Sequence, residues 1–126
     1  MSQKSRGISA ERELVHLFQK KGYAAIRIAG SGNTKTPSTD ILAGNGLRIL
    51  SIECKIVKGT SRYLDCQTID LFVDFSRQFG AEPWIAVKFF RKPWMMILVS
   101  QLLKTEKNYI IQEKYIMEHG CSLEHF

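Results

Sequence analysis

"TDILAGNGLRILSIECKIV", residues 39–57, is the stretch whose reading decides the fold. Asn45-Gly46 sits between two runs rich in Ile, Leu and Val. That dipeptide is a strong β-hairpin signal, because both central residues of a type I′ turn need positive φ. A two-residue turn there sets Gly44 opposite Leu47 and Asp40 opposite Ser51. Directly opposed residues share a face of the sheet, and so do residues i and i+2. Asp40, Ser51, Glu53 and Lys55 therefore fall on one face. Leu50, Ile52, Cys54 and Ile56 fall on the other, an apolar set aimed at a core. The assignment requires an even loop, since a one-residue slip turns every side chain to the opposite face.

The polar face gathers two carboxylates and an ammonium. Neighbouring carboxylates raise each other's pKa unless a cation stands between them. A divalent metal is one such cation, and Lys55 alone is another. A Glu–Lys pair on a sheet face is also ordinary surface chemistry. The aspartate on the partner strand, sharing that face, turns the pair into a candidate site.

Upstream, the pattern predicts a helix from Ser9 to Lys21, capped by Ser9 and ended at Gly22. Glu11, Leu14, Val15 and Phe18 make one stripe, so Glu11 points inward. Glu13 groups with His16, Leu17 and Lys20 on a wetter face. An inward acid at a helix start also serves the helix dipole, worth about 0.3–1 kcal/mol. "YAAIRIA", residues 23–29, reads as a strand. "GSGNTKTPS", residues 30–38, reads as a loop and matches no nucleotide-binding glycine pattern.

Downstream, "YLDCQTIDLFVDFSRQFG", residues 63–80, has apolar residues at 69, 72, 73 and 79 in helical spacing, and Gly80 ends it. Leu71 and Phe75 add a second apolar line, which implies deep burial or a subunit interface. "PWIAVKFF" and "WMMILVS" read as strands joined through "RKP". Trp84, Phe89 and Trp94 on them are core or interface residues. The order helix, three strands, helix, two strands predicts an α/β fold with a mixed β-sheet flanked by helices. The tail after Leu103 carries no assignable pattern.

The totals set outer bounds. With 126 residues, 44% hydrophobic and 24% charged, the chain suits one domain over residues 1–126. No apolar run approaches the roughly 20 residues that span a bilayer, and the N-terminus has no secretory apolar segment. Cys54, Cys66 and Cys121 form no CxxC pair, so a zinc ribbon or disulfide framework is not expected. A reducing, cytoplasmic location follows. His16, His119 and His125 have no metal-ligand spacing. The net charge of +6 suits a polyanionic partner, or solubility alone.

"SAERELVHLFQKKGYAAIRIAGSG", "STDILAGNG" and "LSIECKI" together resemble the archaeal-type Holliday junction resolvases, a branch of the PD-(D/E)xK nucleases. The family motif is Glu, a serine-bearing loop, Asp, then Glu-x-Lys. The similarity continues through "RQFGAEPWIAVKFFRKPWMMILVSQLLKTEKN", so it covers nearly the whole chain. It implies a restriction-endonuclease-like fold and a metal-dependent endonuclease acting as a homodimer on four-way junction DNA. Viral members exist beside cellular ones, so host cytoplasm is the alternative location.

By position, the resemblance implies that Glu11, Asp40, Glu53 and Lys55 are catalytic. Ser31 matches the functional loop serine. Thr39 stands where the motif's name has proline, and Cys54 is the centre of the Glu-x-Lys. Glu11, Asp40, Glu53 and the Cys54 backbone carbonyl would be the metal donors. Such oxygen ligands suit Mg²⁺, with Mn²⁺ as a substitute. Lys55 would orient water and meet transition-state charge. Arg6, Arg27, Ser31, Lys35, Lys58 and Arg62 are the expected DNA contacts. A duplex-cutting restriction or repair enzyme is the competing reading, and a catalytically silent DNA-binding module is another. The intact acid–acid–acid–lysine set weighs against the silent module.

Overall fold

The computed structural model describes residues 3–30 and 38–126, with side chains from Arg6 onward in the first segment. The opening helix, α1 (Gln3–Lys20), starts well before Ser9, which is an internal residue and not its cap. The helix does stop where the sequence says. Gly22 takes φ +92°, and the Tyr23 N–H turns back onto the Phe18 carbonyl at 3.1 Å.

Strands β1 (Ala24–Arg27), β2 (Ile41–Gly44) and β3 (Ile49–Val57) follow, then β4 (Ser61–Asp65) and α2 (Cys66–Phe79). After α2 come β5 (Glu82–Phe89), β6 (Met95–Leu98), β7 (Leu103–Lys104), β8 (Asn108–Gln112), α3 (Glu113–His119) and β9 (Cys121–Ser122). A six-stranded mixed sheet has the order β1-β2-β3-β5-β6-β9, and only its β3–β5 pair is parallel. A second sheet has the order β4-β8-β7.

The hairpin forms, but not with the two-residue turn expected. Gly44 pairs with Ile49 and Ile41 with Ile52, so residues 45–48 form the loop. Gly46 takes φ +89°. Asn45 has no positive φ and instead serves as an acceptor. Its Oδ1 takes the N–H groups of Leu47 and Arg48, each at 2.9 Å. The register moves by two residues, so the loop stays even and the face assignment survives. Ile41 opposite Ile52 brings Asp40 alongside Glu53, closer than the expected pairing with Ser51.

The large sheet is covered on both faces. On one, Leu14 and Phe18 of α1 pack on Ile41, Ala43, Leu50 and Ile52. On the other, Ile69 and Phe72 of α2 pack with Ile85, Val87 and Phe89. Each fully buried side chain of this size is worth about 1.5–3 kcal/mol. Two parts of the hairpin reading need correction. Ser51, on the expected polar face, is fully buried, while Ile56, on the expected core face, is 37% exposed.

β4 was not anticipated. It has one buried residue, Leu64, and its partner β8 lies in the tail that carried no pattern. α2 begins just after it, with the Asp65 carboxylate accepting the Thr68 N–H at 3.0 Å, and Gly80 closes it at φ +82°. Trp84, Phe89 and Trp94 are buried in the chain's own core, which removes them as interface residues. Leu71 and Phe79 are about half exposed, and Phe79 stacks on Phe75 at 6.0 Å.

Candidate active site

β2 begins at Ile41, so its pairing with β3 ends at Ile52, while β3 runs on to Val57. From Glu53 onward β3 keeps β5 along one edge, up to the Val57–Phe89 pair, and has no strand along the other. In a strand, a residue's N–H and C=O face the same edge. Ile52, still paired with Ile41, and then Cys54 and Ile56 turn theirs toward the β2 side, and beyond Ile52 side chains take the role of the missing strand. Thr39 Oγ1 lies 3.0 Å from the Ile52 carbonyl and 3.2 Å from that of Ile41, as donor to both. Asp40 Oδ2 accepts the Cys54 N–H at 2.9 Å. Arg62 Nη1 donates to the Ile56 carbonyl at 3.1 Å. The Cys54 carbonyl lies on this same edge, beside Asp40.

Thr39 is fully buried. A proline in its place has no hydroxyl to close off Ile52. The departure from the motif's name therefore supplies a hydrogen bond at the point where the two strands part.

Asp40 connects groups on opposite faces of the sheet. Glu53 and Lys55 share one face, with Lys55 Nζ 3.6 Å from Glu53 Oε2. Glu11 comes from α1 on the other face and is met by Arg27 Nη1 at 3.4 Å. Burial, then the charge of Asp40, pushes the Glu53 carboxyl up to about 7 against the pull of Lys55. Burial and Asp40 also raise Glu11, while Arg27 opposes them. The Cys54 thiol is held well above its usual range by burial and by the three carboxylates around it. Excess negative charge is thus concentrated where the sheet opens.

The donors match the expected metal chemistry in kind. Among the described residues, no three His, Cys, Asp or Glu side chains close around one point as a preformed cage. Asp40 and Glu53, with a backbone carbonyl beside them, form instead a sparse set of hard oxygen donors. That set suits an ion such as Mg²⁺, which keeps several waters and shares substrate phosphates.

A cleft of about 610 Å³ opens on the α1 side. Glu11, Cys54 and Ile56 line it together with Arg6, Lys58 and Arg62. Three of the expected DNA contacts are therefore brought together, although Arg62 is also tied to the Ile56 carbonyl. Arg27 stands at the acid cluster through its pair with Glu11. Ser31 and Lys35 lie outside the described residues. Lys88 and Arg91 also line the cleft and were missed. Lys88 arrives because β5 pairs in parallel with β3, setting it opposite Ile56. Parallel pairing leaves no turn signal in sequence from which the register could be read.

The chain matches the family described as archaeal Holliday junction resolvase (Hjc) over residues 2–126. It is 46% identical over 110 residues to the crossover junction endodeoxyribonuclease Hjc of Archaeoglobus fulgidus, covering 87% of this chain and 81% of that protein. The Hjc of Methanocaldococcus jannaschii is 38% identical over 110 residues, covering 86% and 77% respectively. Among solved structures, Archaeoglobus fulgidus Hjc, described as a Holliday junction resolvase, superposes with a TM-score of 0.87 at 39% identity. That superposition covers 94% of this chain and 98% of the other. Among the described residues, no helix is long and apolar enough to cross a membrane. Asp40, Glu53, Lys55 and Glu11, which resembled a resolvase motif, thus sit in a matching fold and in a sequence that matches over residues 2–126, and the chain belongs to the archaeal Holliday junction resolvase family of nucleases.

Proposed function

We propose that this chain resolves four-way DNA junctions by metal-dependent phosphodiester hydrolysis, with Asp40, Glu53 and Lys55 as its cutting centre. The observation that carries the reading is the open edge of β3, where Asp40 is fixed by the Cys54 N–H beside the Glu53–Lys55 pair. A divalent cation, Mg²⁺ or Mn²⁺ in its place, supplies polarisation of the phosphate and a lowered pKa for a bound water. Asp40, Glu53 and the Cys54 carbonyl would hold it, and Glu11 would complete the acidic side. Burial and Asp40 push the Glu53 carboxyl up to about 7, and a bound cation would favour its ionised form. Lys55 would orient the attacking water and meet the negative charge that grows on the phosphate in the transition state. Arg6, Lys58 and Arg62, with Lys88 and Arg91, carry the flanking phosphates. Arg27, Ser31 and Lys35 complete the DNA-contact set.

One such site per chain makes one cut, and resolving a junction takes two. A two-fold homodimer gives two identical sites related by the symmetry of the substrate. The half-exposed Leu71 and Phe79, with Phe75, are the apolar surface offered for it. The whole chain acts as one nuclease domain in the cytoplasm. The test is incubation with a labelled four-way junction and a matched linear duplex, with and without Mg²⁺, alongside sedimentation of the free protein. Symmetry-related cuts in the junction alone, only with the metal, are expected. Equal cutting of the duplex would indicate a restriction- or repair-type enzyme, and binding without cutting a silent module.

A further inference from the structure

The turn between β5 and β6 carries a ring for which neither the core nor the cutting chemistry has a use. Phe90 is 72% exposed and lines the cleft. The turn is built to hold it there. The Lys92 N–H closes onto the Phe89 carbonyl at 3.1 Å, which leaves Phe90 and Arg91 at the tip. Lys88 Nζ donates to the Lys92 carbonyl at 2.6 Å and ties the turn to β5. Arg91 takes φ +57°, a conformation that costs a residue with a side chain. Its guanidinium lies over the Phe90 ring, 5.1 Å from the centroid.

A solvent-facing ring backed by a cation, beside Arg6, Lys58 and Arg62, has the make-up of a stacking platform for a nucleic-acid base. The basic residues draw phosphates, which fix position on the DNA and make no contact with a base. A ring needs the open face of a base, and an intact duplex keeps its base faces stacked. The base pairs that end each arm at a branch point are the ones free to unstack. We propose that Phe90 stacks on a base at the branch point and so helps this chain select branched over linear DNA. The inference rests on the junction-resolving reading above.

The test uses the full chain in EDTA, so that no strand is cut. The probe is a four-way junction with 2-aminopurine at the branch point, and the same label in a linear duplex. The native chain should raise the junction's emission on binding and leave the duplex signal flat. Phe90→Ala should bind the junction about tenfold more weakly, with duplex binding nearly unchanged and the emission rise lost. Phe90→Tyr should keep both. Its salt slope should match that of the native chain, because no phosphate contact is removed. A Phe90→Ala chain that keeps the emission rise and the junction preference would overturn the inference. So would an equal loss on junction and duplex, or a change of oligomeric state in sedimentation, which would make Phe90 a general or subunit contact. If the native chain shows no junction preference, the functional reading fails first, before any Phe90 variant is compared.

Discussion

The two halves of β3 share one strand and live in different surroundings. Leu50, Ser51 and Ile52 are buried in a row, with β2 on one edge, β5 on the other and helices over both faces. Glu53, Cys54 and Lys55 are only partly buried, and Ile56 is exposed. At Glu53 β2 has ended, and the strand stays only partly covered until Val57 is buried again at its end. A strand that loses one neighbour must find other partners for the backbone groups along that edge. Here Asp40 and Arg62 provide them, and Thr39 adds a bond at Ile52, the last paired residue. The gap that admits these side chains also leaves Glu53, Cys54 and Lys55 partly open to solvent. The candidate site is thus a consequence of strand lengths, and its charged groups sit where β2 no longer covers the edge.

The comparison breaks most readily on the chemistry. Asp40→Ala and Glu53→Ala should each lower junction cleavage by about a thousandfold. Junction binding should stay within a few-fold, because phosphate contacts elsewhere supply affinity. An active variant of either kind would remove the open edge as the cutting centre. Stability should show the reverse pattern. Ile52→Ala, in the enclosed half, should cost about 2–5 kcal/mol in denaturant unfolding. Ile56→Ala, in the open half, should cost under about 1 kcal/mol, and equal losses would show that the halves are packed alike.

Proton uptake sharpens the contrast further. The folded chain holds the Glu53 proton up to about pH 7, above the ordinary glutamate value of 4.5. This contribution to stability is fully present below about 4.5 and is lost as pH rises through about 7. Without divalent cation, Glu53→Gln should therefore gain on the native chain as pH rises across that window, by at most about 3 kcal/mol. A flat difference between the two would place Glu53 in solvent.

Thr39→Val should cost about 0.5–1.5 kcal/mol by removing the hydroxyl bonds to the Ile52 and Ile41 carbonyls, and should raise the metal concentration needed for cleavage. Thr39→Ser should restore both. The smallest contrast is within "AERE". Glu11→Gln should slow cleavage markedly, while Glu13→Gln should barely change it. Glu13 accepts the Trp94 Nε1–H at 2.9 Å, a bond that a glutamine oxygen can keep. The opposite ranking in a cleavage assay would detach α1 from the site.

Much of this was legible without coordinates. The Asn-Gly hairpin, the two-sided β3, the inward stripe of α1 and the glycine stops at Gly22 and Gly80 all rest on local periodicity or local backbone preference. Face parity singled out Asp40, Glu53 and Lys55, the helical stripe singled out Glu11, and the resemblance names the same positions. Parity survived a wrong turn type because the loop gained an even number of residues. β4 and β8 were missed because each is short and pairs with the other across a long separation. Lys88 and Arg91 were missed because their place in the cleft follows from a parallel pairing and a turn beyond it.

By itself, the sequence determined which residues alternate across β3 and which face of α1 turns inward, since backbone geometry assigns those from neighbours in the chain. It also carried the family pattern of acids and lysine. Only the tertiary structure decided where β2 starts relative to β3, and with that which peptide groups of β3 are left for Asp40 and Arg62. It alone set Phe90 at the tip of a braced turn beside the basic cleft. Strand lengths, sheet order and the meeting of distant turns depend on how the elements pack together, and no local stretch encodes that competition.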